Sequence, residues 1–318
     1  MHLLSNTEDL VSIAMATYNG EKFIVEQIES ILAQSYNNFE LIIVDDCSTD
    51  KTVEILNQYK LFNNIKVYQN GKRLGAIKNF NKAISLCNGK FIALSDQDDI
   101  WYEEKIAKLV EDIEKAMLIC SDVVMIDTNR KIINKSWFKY QAIYIPSKPF
   151  VFYEVVYQNF ALGCTMLFKS ELVKHILPIP KDSLSHDWWI AANASLLGKI
   201  EVHKDPLMFK RKHNSNVSVA DRDNFIIRMK KYMLSNEREK RINRYQDSLD
   251  RIKLYLSSNM GKNESISEYL SDLIIYYDDM LKRRIHFTGV KIAFKYRKIF
   301  YGGFNPIARA MQVIAKLF

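Results

Sequence analysis

The sequence predicts an α/β domain, with a mainly parallel sheet flanked by helices, followed by an extension made only of helices. Through the first half of the chain, short apolar runs alternate with amphipathic stretches, as in repeated strand–helix units. From about residue 221 the apolar residues recur at steps of three and four, the spacing of a helix that packs on one face. We therefore expect a sheet domain over residues 1–220 and a helical extension over residues 221–318.

The predicted strands are short apolar runs that end at turn signals or polar residues. The first, Val11–Thr17, is followed by the turn Tyr18-Asn19-Gly20. The others cover residues 41–45, 66–68, 91–94 and 118–126. Residues 160–168, together with Pro178 and Pro180, indicate an irregular region.

The predicted helices lie between and after these strands. In the first, Phe23, Ile28 and further apolar residues recur at three- and four-residue spacing. Ser48, Thr49 or Asp50 can cap the second. The helices cover residues 23–32, 53–59, 76–86, 103–115 and 185–197, and in the extension residues 242–256 and 265–281.

The composition is that of a globular protein. Of the 318 residues 48% are hydrophobic and 26% charged, and the ten glycines and six prolines are too few for collagen or low-complexity disorder. The four cysteines are scattered, without a CxxC pair or histidines at zinc spacing, which favours a reducing compartment. No apolar run reaches the roughly 18 residues of a membrane span. We expect a cytoplasmic protein, soluble or peripheral to a membrane.

The net charge of +8 is concentrated at the C-terminus. Nine of the 45 Lys and Arg residues, and none of the 37 Asp and Glu residues, lie in residues 282–318. Basic residues interleaved with aromatic and aliphatic ones suit an anionic membrane surface. A nucleic-acid enzyme would carry them around its cleft, so no nucleic-acid partner is expected. The alternative is that this tail packs on the protein or joins two subunits, giving a homo-oligomer through the C-terminal helices.

The densest acidic cluster, Asp96, Asp98 and Asp99, directly follows a predicted strand. Open α/β sheets bind ligands at the carboxyl ends of their strands. Carboxylates this close repel one another, and oxygen ligands suit a compensating Mg²⁺ or Mn²⁺ ion. The alternative, capping of the next helix, explains one aspartate but hardly three. The cluster therefore favours a metal site.

Two further groups of polar residues follow predicted strands. Asp45 and Asp46 end the second strand, where a carboxylate can bind a pyrimidine imide or a ribose hydroxyl. Thr17 and Tyr18 end the first, and the tyrosine ring could stack on a base. The alternatives are a cap or turn for the aspartates and packing for the tyrosine.

A later segment combines His186 and Asp187 with two tryptophans. A carboxylate beside apolar rings is partly desolvated, as a general base needs. The alternatives are a helix cap for Asp187 and core packing for Trp188 and Trp189. The stretch from residue 210 to residue 216 is basic and polar, and either reaches a diphosphate or forms a solvated loop.

Four motifs in order give the chain a resemblance to family 2 glycosyltransferases of the GT-A fold, a Rossmann-like fold. They are Thr17-Tyr18-Asn19-Gly20, residues 43–50 (IVDDCSTD), Arg73-Leu74-Gly75 with Asn79, and residues 95–101 (SDQDDIW). Residues 163–168, 186–189 and 211–216 resemble the rhamnosyltransferase-like branch that builds bacterial surface polysaccharides. The resemblance covers about residues 10–220. It implies donor binding by residues 10–100 and acceptor binding by residues 101–220.

The resemblance implies a metal-dependent, inverting transfer of one sugar from a dTDP- or UDP-sugar to a saccharide acceptor, one linked to a polyprenyl diphosphate. Asp187 corresponds to the base, and Asp98 to the ligand of Mg²⁺ or Mn²⁺. Nucleotide binding falls to Thr17, Tyr18, Asp45, Asp46, Arg73 and Asp96, with Asp46 on the pyrimidine and Asp96 on the ribose. We expect contacts with the diphosphate or the acceptor from Asp99, Trp101, His186, Trp188, Trp189, Arg211, Lys212 and His213.

Two features depart from the family pattern. A histidine precedes the base where many members have glutamate, and the KRKHN segment replaces the QxxRW element of processive synthases. The second departure favours single-sugar addition. A DxD phosphatase is disfavoured because Ile100 stands where its threonine is expected, and a nucleotidyltransferase because the first loop has one glycine. A non-catalytic partner in a polysaccharide-assembly complex stays the alternative, and it would release no nucleotide diphosphate.

Overall fold

The computed structural model describes residues 9–141, 143, 145, 152–157, 160–183, 185–213, 235–282, 291–292 and 295–296. These residues form two compact units. The first holds residues 9–141, 143, 145, 160–181 and 185–213, and the second holds the remaining described residues. The predicted boundary after residue 220 lies outside the described residues. Residues 152–157, predicted within the sheet domain, pack in the second unit.

The first unit is built on a nine-stranded sheet with the order β3-β2-β1-β4-β8-β6-β9-β5, and β7 pairs with β6. Its strands are β1 Val11–Thr17, β2 Phe39–Asp45, β3 Ile65–Gln69, β4 Phe91–Ser95, β5 Ile100–Trp101, β6 Ala116–Ile126, β7 Ile132–Asn134, β8 Met166–Lys169 and β9 Lys199–Arg211. The pairs β3–β2, β2–β1, β1–β4 and β6–β9 are parallel, whereas β8 is antiparallel to both β4 and β6. The mainly parallel sheet predicted from the sequence is confirmed.

The helices of the first unit connect these strands. They are α1 Ile24–Leu32, α2 Thr52–Tyr59, α3 Ala76–Ser85, α4 Lys105–Ile113, α5 Trp137–Gln141, α7 Val173–Ile176 and α8 His186–Leu197. The apolar face of α1 is buried through Ile24, Ile28 and Ile31, as its spacing predicted. Asp50 accepts hydrogen bonds from the backbone N–H and the hydroxyl of Thr52, so it satisfies the first turn of α2.

The sequence missed four of the nine strands, namely the short β5 and β7 and also β8 and β9. Residues 166–169, predicted to be irregular, form β8, which lies between two strands that come earlier in the sequence. Residues 199–211 form β9, although Lys210 and Arg211 were assigned to a polar loop. Hydrophobic periodicity does not distinguish β8 and β9 from helix or loop, because apolar and polar residues alternate over only a few positions in each.

The second unit is helical, as predicted. It contains α6 Phe152–Tyr157, α9 Ser235–Ser257 and α10 Glu264–Lys282, with a 3₁₀ turn over Asn259–Lys262 between the long helices. Among the described residues, no helix is both long and apolar enough to cross a bilayer.

The described part of the basic tail packs on this unit. Ile292 is 5% exposed, and Lys295 forms ion pairs with Glu268 and Asp272 on α10, each at 2.7 Å. The hydroxyl of Tyr296 also donates to Asp272. The described tail residues 291, 292, 295 and 296 therefore favour the alternative that the tail packs on the protein. The other tail residues from 283 onward lie outside the described residues.

Candidate active site

The predicted polar residues meet at one edge of the sheet. Thr17 at the end of β1 pairs in register with Asp45 at the end of β2. Asp96 directly follows β4, which runs parallel to β1, and Arg211 ends β9, which runs parallel to β6. The carboxyl ends of parallel strands share an edge, and ligands of open α/β sheets bind there. We therefore place the candidate active site at this edge.

Asp45 is buried and fixes the turn that follows β2. Its Oδ1 accepts hydrogen bonds from the hydroxyls of Thr17 and Ser48, and its Oδ2 accepts one from the backbone N–H of Ser48 at 2.9 Å. The two strand ends predicted to bind a nucleotide are thus tied to each other through side chains.

Asp46 holds the loop before α3. It is 3% exposed, and its Oδ1 accepts from the side-chain amide of Asn70 at 2.9 Å and from the backbone N–H of Leu74 at 2.7 Å. Its Oδ2 accepts from the backbone N–H of Gly75 at 2.8 Å. Gly75 has a φ of +85°, a conformation that glycine adopts without strain. The carboxylate that the resemblance assigns to the pyrimidine therefore also anchors the segment that carries Arg73.

Tyr18 and Arg73 lie together at the same edge. The guanidinium carbon of Arg73 is 4.0 Å from the centroid of the tyrosine ring. The side-chain amide of Gln97 accepts from the backbone N–H of Tyr18 and donates to its carbonyl, at 2.8 and 2.9 Å. A Cβ on Gly20 would lie 2.3 Å from the Gln97 amide oxygen, so a glycine is needed there. The loop after β1 is thus locked to the acidic cluster.

Within the acidic cluster, Asp96 and Asp98 have different partners. The Asp96 side chain is 35% exposed and lies 3.1 Å from the ammonium of Lys210. Asp98 is mostly buried, and its Oδ2 lies 2.7 Å from Nε2 of His213, whose ring stacks on Phe23. Desolvation acts to raise the pKa of Asp96, but the charges of Lys210 and His186 and hydrogen bonds from Lys210 and Cys164 together outweigh it, and the pKa lies below its usual value.

Asp99 is the most deeply buried of the three. It is 0% exposed, its Oδ1 accepts from the backbone N–H of Arg211, and its Oδ2 lies 3.6 Å from the Lys210 ammonium. Burial raises the pKa of the Asp99 carboxyl to about 7, with Lys210 opposing the rise and Asp98 and Asp96 adding to it. The Asp99 side chain has no exposed surface in this structure, and its contact with the diphosphate or acceptor stays a prediction.

Two buried lysines lie beside this cluster in different surroundings. Burial acts to lower the pKa of Lys210, but the carboxylates around it hold that pKa well above its usual value. Lys105 donates to the backbone carbonyl of Cys164 at 2.6 Å and lies 3.6 Å from the centroid of the Trp101 ring. Burial lowers the pKa of Lys105 to about 7. Lys210 belongs to the basic stretch that was predicted either to reach a diphosphate or to form a solvated loop, and Lys105 was not predicted to belong to the site.

Arg211 is held inside the protein in this structure, and its contact with the diphosphate stays a prediction. It is 1% exposed, and its guanidinium donates to the carbonyls of Asp98 and Thr128 and to the Glu26 carboxylate. A side chain enclosed by these groups has no surface left for a ligand. The half-buried Lys212 continues the pairing of β9 through its backbone N–H, which donates to Ile126.

The start of α8 brings the predicted base to the site. Ser185 caps the helix, and its hydroxyl donates to the Asp187 carboxylate, which is 9% exposed. His186 stacks on Phe80 with ring centroids 4.1 Å apart. A Cβ on Gly163 would lie 2.6 Å from His186 Nε2 and 3.6 Å from the Asp187 Cβ, so little space separates residue 163 from the two side chains. Asp187 Oδ1 also accepts from the backbone N–H of Trp188 at 2.7 Å, so Asp187 contributes to the cap of α8, as in the alternative interpretation.

The three predicted tryptophans are placed differently. Trp188 is half-buried, whereas Trp101 and Trp189 are 3% and 7% exposed. The Trp189 indole N–H donates to the carbonyl of Ile176 within the core. The rings of Trp101 and Trp189 pack internally in this structure, and their ligand contacts stay predictions. Trp188 stays a candidate.

A divalent ion fits beside Asp98 and His213 better than between Asp96, Asp99 and Cys164. Asp96, Asp99 and Cys164 bring three possible ligand atoms within 4.8 Å of one another. However, the Lys210 ammonium already lies 3.1, 3.6 and 3.4 Å from those same three side chains, so its charge and volume oppose an ion there. Asp98 and His213 offer a carboxylate oxygen, which suits Mg²⁺ or Mn²⁺, and an imidazole nitrogen, which is a common ligand of transition metals.

The segments SDQDDIW and KRKHN include Gln97 and Lys210, but the sequence assigned no role of their own to Gln97, Lys210 or Lys105. The signal for Lys210 was its place at the end of the run Leu207-Met208-Phe209, which is typical of a strand. A lysine that ends a buried strand enters the interior instead of a solvated loop.

Comparisons with known proteins agree with this geometry. A family model described as Glycosyl transferase family 2 matches residues 12–177, just over half of the chain. TuaG of Bacillus subtilis (strain 168), a glycosyltransferase named for teichuronic acid biosynthesis, is 39% identical over 109 residues, which cover 34% of this chain and 43% of TuaG. The match thus spans less than half of that relative's length.

Two further relatives have more specific names. The dTDP-rhamnosyl transferase RfbG of Shigella flexneri is 30% identical over 64% of this chain and 72% of its own length. WfgD of Escherichia coli, a UDP-Glc:alpha-D-GlcNAc-diphosphoundecaprenol beta-1,3-glucosyltransferase, is 32% identical over 49% of this chain and 58% of its own.

Solved structures show the same fold. TarS of S. aureus (residues 1–349), in complex with UDP-GlcNAc, matches with a TM-score of 0.59 at 18% identity, over 92% of this chain and 82% of TarS. The mannosyltransferase PcManGT of Pyrobaculum calidifontis, in complex with GDP-Man and Mn²⁺, matches with a TM-score of 0.56 at 17% identity, over 98% and 81%. The fold is GT-A, and the chain belongs to glycosyl transferase family 2.

Proposed function

We propose that this protein transfers one sugar from a nucleotide-diphosphate donor to a saccharide acceptor, with inversion at the anomeric carbon. The observation that supports this most is the link between the acidic cluster and the start of α8. A Cβ on Gly163 would lie 2.6 Å from His186 Nε2 and 3.6 Å from the Asp187 Cβ, while the sulfur of the next residue, Cys164, lies 3.4 Å from the ammonium of Lys210, which binds Asp96. A carboxylate able to activate an acceptor therefore lies close to carboxylates able to bind a donor.

The donor half of the proposal follows from the residues at the ends of β1, β2 and β4. The 35% exposed carboxylate of Asp96 can accept hydrogen bonds from ribose hydroxyls. Arg73 over the Tyr18 ring can stack on a nucleobase, and Asp46 supports this by fixing the loop that carries Arg73. The names of RfbG and WfgD, a dTDP-rhamnosyl transferase and a UDP-Glc-dependent enzyme, support a dTDP- or UDP-sugar donor.

The chemistry needs a leaving group with its charge neutralised and an acceptor with its proton removed. Asp98 and His213 would hold a Mg²⁺ or Mn²⁺ ion, which supplies positive charge beside the diphosphate. Asp187 takes the proton from the acceptor hydroxyl, and the Ser185 hydroxyl orients the Asp187 carboxylate. Trp188, half-buried at the start of α8, provides an aromatic face for the acceptor sugar, and Lys212 is close enough in sequence to approach the diphosphate.

The acceptor is proposed to be linked to a polyprenyl diphosphate and to belong to a bacterial surface polysaccharide. The name of WfgD gives an acceptor of this kind, and the basic tail suits an anionic leaflet. We therefore place the enzyme at the inner face of the cell membrane. Co-sedimentation with anionic vesicles tests this, and salt-sensitive binding that is lost on removing residues 297–318 is the expected result.

A screen of donors against acceptors tests the proposed reaction. UDP-, dTDP- and GDP-sugars are incubated with MnCl₂ and polyprenyl-diphosphate saccharides, and the products are read by mass spectrometry. One added sugar per acceptor, with release of the nucleoside diphosphate, is expected. A scaffold protein would release none, and a processive synthase would give a ladder of masses.

A further inference from the structure

Lys210, the first residue of the KRKHN segment, lies at the centre of the acidic cluster, although no role of its own was predicted for it. It is the residue before the last of β9, and its side chain is 8% exposed. Its ammonium lies 3.1 Å from Asp96 Oδ2, 3.6 Å from Asp99 Oδ2 and 3.4 Å from the sulfur of Cys164. These are the three side chains that would otherwise form a cation site.

The carboxylates of Asp99 and Asp96 differ in how much each depends on the positive charge of Lys210. Asp99 Oδ2 is buried and accepts no hydrogen bond in the part of the chain that the structure describes, so Lys210 is its countercharge. Asp96, in contrast, is 35% exposed and would be hydrated without the lysine. The ammonium between the two holds Oδ2 of Asp96, and Oδ1 can then accept a hydrogen bond from a ligand.

We propose that Lys210 is a positioning residue of the donor site, which orients Asp96 for the ribose and takes the place of a divalent ion between Asp96 and Asp99. This inference rests on the proposed function, since it needs a nucleotide at Asp96. It limits the divalent ion to Asp98 and His213. A resident ammonium also keeps Asp96 in one orientation before the donor arrives, which lowers the cost of ordering on binding.

Nucleotide titration calorimetry tests the inference. The probes are UDP, dTDP and GDP, each with MnCl₂, and the full chain is compared with Lys210→Met. We expect the nucleotide that binds the wild type to bind Lys210→Met about 10- to 100-fold more weakly, the range for losing a hydrogen bond to a charged group. In steady-state assays the KM for the donor should rise, with little change in the KM for the acceptor.

A double variant separates positioning from charge neutralisation. In Lys210→Met/Asp99→Asn both partners of the buried pair are neutral, so the cost of an unpaired buried charge is removed. We expect this protein to fold and to bind the nucleotide as weakly as Lys210→Met. Lys105→Met is the matched control, because Lys105 is equally buried but contacts a carbonyl and an aromatic ring instead of a carboxylate, and its nucleotide affinity should match the wild type.

The outcomes that overturn the inference are distinct. Wild-type affinity in the double variant would mean that Lys210 only balances Asp99. Failure of both Lys210 variants to fold, with a folded Lys105→Met, would make Lys210 a structural cation. If the wild type binds none of the three nucleotides, the proposed function fails, and this inference falls with it.

Discussion

Replacing Asp46 with alanine tests how the donor loop is held. Three donors converge on this carboxylate: the Asn70 side-chain amide and the backbone N–H groups of Leu74 and Gly75. Leu74 and Gly75 are partly or fully exposed, so water can replace the carboxylate there, whereas Asn70 is 5% exposed. The two exposed amides should cost about 0.5 to 1 kcal/mol each, and the buried amide about 1 to 3 kcal/mol. We therefore expect a loss of roughly 2 to 5 kcal/mol in the free energy of unfolding.

Urea denaturation measures this loss, and titration with UDP and dTDP measures its effect on binding. The loop that Asp46 anchors carries Arg73, so nucleotide affinity should fall together with stability. Asp127→Ala is the control, because Asp127 fixes a turn elsewhere in the same unit by accepting from the backbone N–H groups of Asn129 and Lys131. An Asp46→Ala protein with unchanged stability and lost affinity would refute the anchoring role and indicate direct contact with the base.

Three further substitutions test other parts of the site. Asp187→Asn should lower kcat about 10²- to 10⁴-fold, as for loss of a general base, while calorimetry finds unchanged nucleotide affinity; a collapse of that affinity would make Asp187 a binding residue. Gly163→Ala places a Cβ 2.6 Å from His186 Nε2, and overpacking should cost about 1 to 3 kcal/mol in thermal denaturation; a variant as stable as the wild type would contradict this packing. Lys105→Met should stabilise the protein more at pH 6 than at pH 10. Because burial lowers the folded pKa of Lys105 to about 7, the charged form is penalised below that pH, and the penalty fades as the pH rises toward the unfolded value of 10.5; an equal gain at both pH values would contradict it.

The sheet and the strand-end residues could be predicted because their signals are local. β1 is the apolar run Val11–Thr17 that the sequence indicated, and Asp45 and Asp96 stand at strand ends where the alternation of strands and helices placed them. Parallel strands bring such ends together, so the location of the candidate site followed from the order of elements.

The partners of these residues could not be predicted because they depend on distant segments. Asp99 meets Arg211 and Lys210 only because β9 pairs with β6 and β5, and neither pairing leaves a local pattern. Arg211 looked like a ligand-binding residue because charged side chains are rarely buried, and its burial depends on acceptors from three other segments. The difference in burial between the half-buried Trp188 and the buried Trp189 likewise depends on how α8 faces the sheet.

The central claim is that a nucleotide-sugar donor is used at the acidic cluster, and Asp98→Ala tests it most directly. Transfer is followed by mass spectrometry of the acceptor, with the donor that the wild type uses and with MnCl₂ titrated from zero. The account predicts metal-dependent addition of one sugar by the wild type. It predicts a loss of about a hundredfold or more in the variant, because electrostatic stabilisation of the leaving group is removed. Near-normal, metal-dependent transfer by a folded Asp98→Ala protein would contradict the account.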